Sequence, residues 1–207
     1  MKKTLYLILG ILLLPLALGA QSLPKAEESF AKGDYSSALT QYKQLMQSAT
    51  GEERLHAQLR YAACQYGLGE YLNAAKTIWN YPLPENDLWK VRFALYRIQI
   101  SDQAASVYRR LLNERQIDSN DAQNDPESWT QTEWESRITQ DYETLWAMRA
   151  ALINAPIERE TLILNIKETD TQRIPTLFDY VVFEWHNRLT AQKTVLPARL
   201  ENAEYLD

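Results

Sequence analysis

Gly33-Asp34-Tyr35-Ser36-Ser37-Ala38-Leu39-Thr40-Gln41-Tyr42 is answered thirty-six residues later by Gly69-Glu70-Tyr71-Leu72-Asn73-Ala74-Ala75-Lys76-Thr77-Ile78. The correspondence reaches back to Ala26 and Phe30, which return as Ala62 and Tyr66. Self-similarity at such a period marks arrays of paired helices, in which no pair buries its apolar face alone. Gly33 and Gly69 stand between the helices of a pair, where a residue free to adopt positive φ ends one helix and turns into the next. Ala38 and Ala74 fall where paired helices approach most closely. Phe30, Tyr66, Tyr42 and Ile78 fill the space on either side, with Ala26, Ala62, Tyr35 and Tyr71 in the same frame. Arrays of this kind hold other proteins more often than they catalyse.

Apolar residues at helical spacing continue along most of the chain, and alternating β-branched residues are nearly absent. The spacing predicts helices over 22–32, 35–48, 51–68, 71–80, 86–98 and 102–115, then over 126–153, 157–167 and 176–191. The expected fold class is therefore all-α: antiparallel helix pairs forming an α-solenoid over 21–115, a polar linker over 116–125, a second small helical unit over 126–191, and a tail or truncated continuation over 192–207. Thr50 with Glu53 and Thr176 with Asp179 read as capped helix starts, and Asp125 before Pro126 as an N-cap with proline in the first turn. A third copy is partial. Tyr96, Ala104, Ala105 and Tyr108 follow the second at an offset of thirty, but Gln99 replaces the glycine and Ser101 the tyrosine. Either a degenerate terminal repeat or a change of architecture fits.

In the second unit Trp134, Ile138, Tyr142, Leu145, Met148 and Leu152 form one apolar stripe. Leu177, Val181, Trp185 and Leu189 form another, widened by Tyr180 and Phe183, with Glu184 and Arg188 as an i, i+4 pair on the wet side.

The first twenty residues have a different character. Lys2 and Lys3 precede an apolar run from Leu5 to Leu18, followed by Gly19 and Ala20. A basic start, a run of this length and a small-residue exit describe a secretory signal, with cleavage expected after Gly19 or Ala20. The run is too short to span a bilayer comfortably and Pro15 interrupts it, which argues against an uncleaved anchor. Loss of Lys2 and Lys3 would take the formal net charge from −5 to −7. So acidic a chain, without a basic stripe, gains little from phosphate neutralisation, so nucleic acid is not an expected partner. Membrane contact is expected only through the uncleaved signal.

Candidate chemistry is sparse. Cys64 is the single cysteine, which excludes an intramolecular disulfide, and it also leaves no lipidation cysteine near the exit of the leader. A cysteine nucleophile needs a histidine within hydrogen-bond reach, yet His56 lies eight residues away, about 12 Å along a helix. Asp179 and His186 share a face, but two ligands do not make a zinc site. The acidic stretch from Asp118 to Asp125 lacks the glycine and final glutamate of a calcium loop. Glu27/Glu28 and Glu52/Glu53 read as first-turn acids that favour the helix dipole. No cofactor, metal or catalytic group is expected. Trp89, Trp129 and Trp185 are the tryptophans whose exposure would favour a sugar-stacking role.

The run from Gly33 to Tyr42 resembles the G-D-Y-x-x-A-L-x-x-Y wording of tetratricopeptide repeats, and the likeness extends over about 24–115. That resemblance implies a superhelical array whose concave groove binds peptides or helices. In the second half, Ile174-Pro175-Thr176-Leu177-Phe178-Asp179-Tyr180 is similar to a phrase in Bacteroidetes-type alpha-2-macroglobulin-like proteins, the "large extracellular alpha-helical proteins". Asp125-Pro126-Glu127-Ser128-Trp129 and the stretch from Tyr142 through Ile153 to Pro156 are similar as well. The likeness implies a role near protease trapping or inhibition in the cell envelope. The family's macroglobulin β-domains, bait region and thioester motif are missing from these residues, so the resemblance is to the helical N-terminal region alone.

The expected protein is thus an exported, non-enzymatic helical interaction or scaffold module of a Gram-negative periplasm or cell surface. It would bind a protein or peptide, or further domains of its own polypeptide, as the leading part of a macroglobulin-like protein. A stand-alone periplasmic adaptor for envelope assembly is the alternative, and a carbohydrate-binding or hydrolytic envelope protein the second alternative.

Overall fold

The computed structural model describes residues 22–114, 125–166 and 169–191. The predicted leader with Gly19 and Ala20, the linker up to residue 124 and the tail over 192–207 lie outside the described residues. The described chain is all-α and has no strand. Its helices are α1 (Leu23–Ala31), α2 (Tyr35–Ser48), α3 (Gly51–Gly67), α4 (Tyr71–Asn80), α5 (Asp87–Glu114), α6 (Gln131–Ala147), α7 (Arg149–Leu152) and α8 (Leu177–Ala191). Each of α1 to α5 packs on the next, and α6 packs on α5. None of the described helices is long and apolar enough to cross a membrane.

The doubled phrase is repeated bond by bond. At the end of α1 the amides of Lys32, Gly33 and Asp34 donate to the carbonyls of Glu28, Phe30 and Ser29; at the end of α3 those of Leu68, Gly69 and Glu70 donate to Cys64, Tyr66 and Gln65. Gly33 and Gly69 have φ of 75° and 79°, the left-handed conformation this helix ending demands. Ala26, Ala38, Tyr42, Ala62, Ala74 and Ile78 are fully buried. One difference follows from side-chain length. Asp34 is short enough to cap α2 by accepting the Ser37 amide at 3.1 Å, whereas Glu70 makes no such cap and instead meets the Asn73 amide group at 3.3 Å.

Several local expectations are corrected. No turn interrupts 99–101: α5 runs through it, because Gln99 cannot supply the positive φ of Gly33 and Gly69, and Ser101 accepts a hydrogen bond from the Trp79 indole at 3.0 Å. The third copy is therefore a change of architecture. Thr50 makes no side-chain cap, since Gly51 opens α3 at φ 56°, away from the backbone path a capping box uses. Pro126 begins a single 3-10 turn, Pro126–Ser128, and the long helix starts later, at a capping box between Thr130 and Glu133 that the sequence reading missed. That helix breaks at Met148.

The helix expected over 157–167 is not formed over 157–166. That segment holds a 3-10 turn, Ile157–Arg159, followed by further turns, and it is closed by an antiparallel bridge between Pro156 and Thr176. Tertiary bonds hold this path. Arg92 grips Glu160 through two hydrogen bonds of 2.8 and 3.2 Å, and the Tyr96 hydroxyl donates to the Leu162 carbonyl at 3.3 Å. The Thr176–Asp179 start of α8 is present: the Thr176 amide and hydroxyl donate to the Asp179 carboxylate, and the Asp179 amide donates back at 3.2 Å.

A small buried cluster of Ala26, Ala38, Tyr42, Leu45, Ala57 and Cys64 serves the first pair. A larger one runs without interruption from Leu59 in α3 to Trp185 in α8, so the repeat helices and the later helices share a core. At its centre the Trp129 ring meets Trp79 and Trp134 edge-on, at 5.2 and 4.8 Å between centroids.

Candidate functional site

Beside the shared core lies a groove of about 600 Å3, bounded by α1 to α6 and α8. One wall is the repeat itself. The rings of Phe30 and Tyr35 meet edge-to-face at 5.3 Å, and their counterparts Tyr66 and Tyr71 do so at 5.2 Å, so both copies present the same aromatic pair. The pairs sit there because each spans one helix end: the turn at Gly33 or Gly69 folds the second ring back onto the first. Tyr66 is 38% exposed, which corrects the expectation that it would fill space between helices. Gly67 allows the wall to close, since a Cβ there would stand 2.7 Å from the Tyr35 ring.

The opposite wall comes from α5, α6 and α8. Gln99 donates to the Tyr180 hydroxyl at 3.3 Å, and Tyr142 stacks flat on Trp185 with centroids 5.4 Å apart. Asp102 and Glu184 supply the charged groups of the lining. The expected Glu184–Arg188 pair is not formed. Arg188 turns instead to Asp102 on α5, and Phe183 faces outward at 48% exposure rather than widening the buried stripe. Burial raises the Glu184 carboxyl above its ordinary value.

Two further polar clusters hold the helices together. Glu27 on α1 is hydrogen-bonded to Tyr42 on α2, to His56 Nε2 at 2.7 Å and to Arg60 at 2.9 and 3.1 Å on α3. Burial opposes its ionisation, but these bonds outweigh it and hold the carboxyl at about 2. Glu27 is therefore a cross-helix tie rather than a first-turn acid, whereas Glu52 and Glu53 do stand in the first turn of α3. Asp141 on α6 and Arg97 on α5 form the other cluster, deep in the shared core.

Cys64 is fully buried, and burial pushes its thiol up to about 12, so the thiolate needed for nucleophilic attack does not form near neutrality. Among the described residues no group of three histidine, cysteine or carboxylate side chains is placed to hold a metal. Asp179 and His186 line a second, shallower hollow with Phe178 and Phe183. Trp89, Trp129 and Trp185 are all buried, which removes the three tryptophans named as candidate sugar platforms.

Sequence reasoning found the aromatic wall as packing residues but missed Gln99, Asp102, Tyr180 and Glu184 as parts of one surface. The offset of the third copy did place Gln99 and Ser101 in the repeat's frame, and that was the available signal. No family model, curated protein or solved structure matches this chain.

Proposed function

We propose that the chain is a protein–protein interaction module whose groove holds a segment of another protein. The observation that carries this reading is the duplicated aromatic pair, Phe30/Tyr35 and Tyr66/Tyr71, set side by side in one groove and faced by α8. Partly exposed aromatics on rigid helices are the usual anchors of protein interfaces, since they bury much surface at little entropic cost. A photo-crosslinking residue in place of Tyr66 should give a discrete protein adduct in the native cell. The same residue in place of Val107, which is 51% exposed and off the groove, should not. Equal adducts from both positions, or none from Tyr66, would refute the reading.

The basic, apolar and small-residue sequence of the leader supports export, and the Ile174–Tyr180 and Asp125–Trp129 phrases support a place in the envelope as the leading part of a macroglobulin-like protein. Fusing residues 1–20 to a reporter enzyme active only outside the cytoplasm tests the first point. A stop codon directly after Asp207 would count against the second.

A further inference from the structure

The groove carries one charge that no described residue answers. Asp102 is neutralised by Arg188, a guanidinium only 13% exposed. Glu184, half-buried on the same wall, has no hydrogen-bond or ion-pair partner among the described residues. No lysine, arginine or histidine is among the described residues that line the groove. Around Glu184 stand Tyr142 and Tyr180, both with hydroxyls whose ionisation that carboxylate further disfavours. Both rings are held in place, Tyr142 by its stack on Trp185 and Tyr180 by Gln99. An unanswered carboxylate beside a fixed, partly exposed tyrosine is a site for a cation, which gains a charge-assisted hydrogen bond and the attraction of the ring together.

We propose that the groove receives a lysine or arginine side chain carried by an extended segment of the partner protein, with Glu184 as its counter-charge and the partly exposed Tyr180 beside it. This rests on the reading of the groove as a docking site. The chain already uses the same chemistry internally: Arg60 lies over Phe30 at 4.1 Å, Arg92 over Trp89 at 4.7 Å and Arg97 over Trp79 at 4.5 Å. The occupant is a protein segment rather than a free amine, because the groove continues past Glu184 to the aromatic pairs of both repeats. Residues flanking the cation therefore have a surface to lie on.

The test is a selection of displayed random peptides on the immobilised full chain, followed by synthesis of the tightest binder and of the same peptide with its basic residue changed to glutamine. The expected binders share a lysine or arginine. Its loss weakens binding to the wild type roughly tenfold or more, the ratio of one charge-assisted hydrogen bond. E184Q should weaken the basic peptide equally and leave the glutamine peptide unaffected, with E52Q as an exposed control. Peptides that bind without a common basic residue, or that bind E184Q as tightly, overturn the cation site and leave the docking groove standing. An absence of binders, or binders indifferent to both Y66A and Y71A, overturns both readings. The peptide-side substitution leaves the protein untouched, so the result does not depend on how any variant folds.

Discussion

The Nη1 of Arg97 stands 4.0 Å from the Oδ1 of Asp141, joining α5 to α6 through two side chains that water scarcely reaches. The two partners are unequally provided for. Arg97 donates to the carbonyls of Tyr81 and Ile78 and lies over the Trp79 ring, whereas the Oδ2 of Asp141 has no hydrogen-bond partner. Burial outweighs the attraction of Arg97 and pushes the Asp141 carboxyl from 3.8 up to about 7.

Between those two values the folded protein retains a proton that the unfolded chain releases, so this group makes stability fall as pH rises. D141N keeps the shape and cannot titrate. The stability of the wild type relative to D141N should be greatest below pH 3.8 and decline by ~2–4 kcal/mol towards pH 7. Urea unfolding across that range measures it, and a difference that does not change with pH would refute the assignment.

Glu27 should behave with the opposite sign. Its carboxyl is depressed from 4.5 to about 2, so its contribution is fully present above 4.5 and is lost as pH falls through 2. With the side chain about a third exposed, solvent screening reduces the effect to about 1–2 kcal/mol. The advantage of the wild type over E27Q should be constant at neutral pH and shrink in acid, as followed by chemical denaturation from pH 6 to pH 2.

Ala38 and Ala74 are fully buried between the helices of their pairs. A38L and A74L should each force their helix pair apart and destabilise the fold by about 1–3 kcal/mol. The equivalent variant at Ala150, an exposed helical site, should be nearly neutral. Thermal unfolding of the three variants makes the comparison.

Three glycines separate two physical effects. G33A and G69A place a Cβ where φ is positive, at a cost of about 1–2 kcal/mol each and with open space around them. G67A has ordinary helical φ but puts its methyl into the Tyr35 ring. It should destabilise the fold by displacing Tyr35 from Phe30, visible as shifted ring resonances of both residues.

What was legible in the sequence was local. The two pairs, their glycine turns and the Thr176–Asp179 start are written in neighbouring residues, and all appear as read. The missed parts depend on distant partners. Nothing near Asp141 announces Arg97, and nothing near Arg188 announces Asp102, so an i, i+4 partner looked more natural there. The helix expected over 157–167 was mimicked by Ile157, Leu162, Ile163 and Ile166, but Arg92 and Tyr96 hold that stretch in turns. At Gln99 the repeat itself misled, since its period suggested a turn where no residue could make one.

Because α5 continues where a third pair would begin, the repeat gives way there to the later helices. The first pair is held by its small apolar cluster, the Glu27 tie and the contacts of Phe30 and Met46 with Arg60 and Tyr81, while most of the buried residues from Leu59 onward belong to the large core. Under load or mild denaturant, the chain should therefore come apart directionally, with α1 and α2 peeling away first. That loss would take Phe30 and Tyr35 from the groove and leave Glu184 behind, so a partner pulling on α1 would loosen its own grip before the remainder yields.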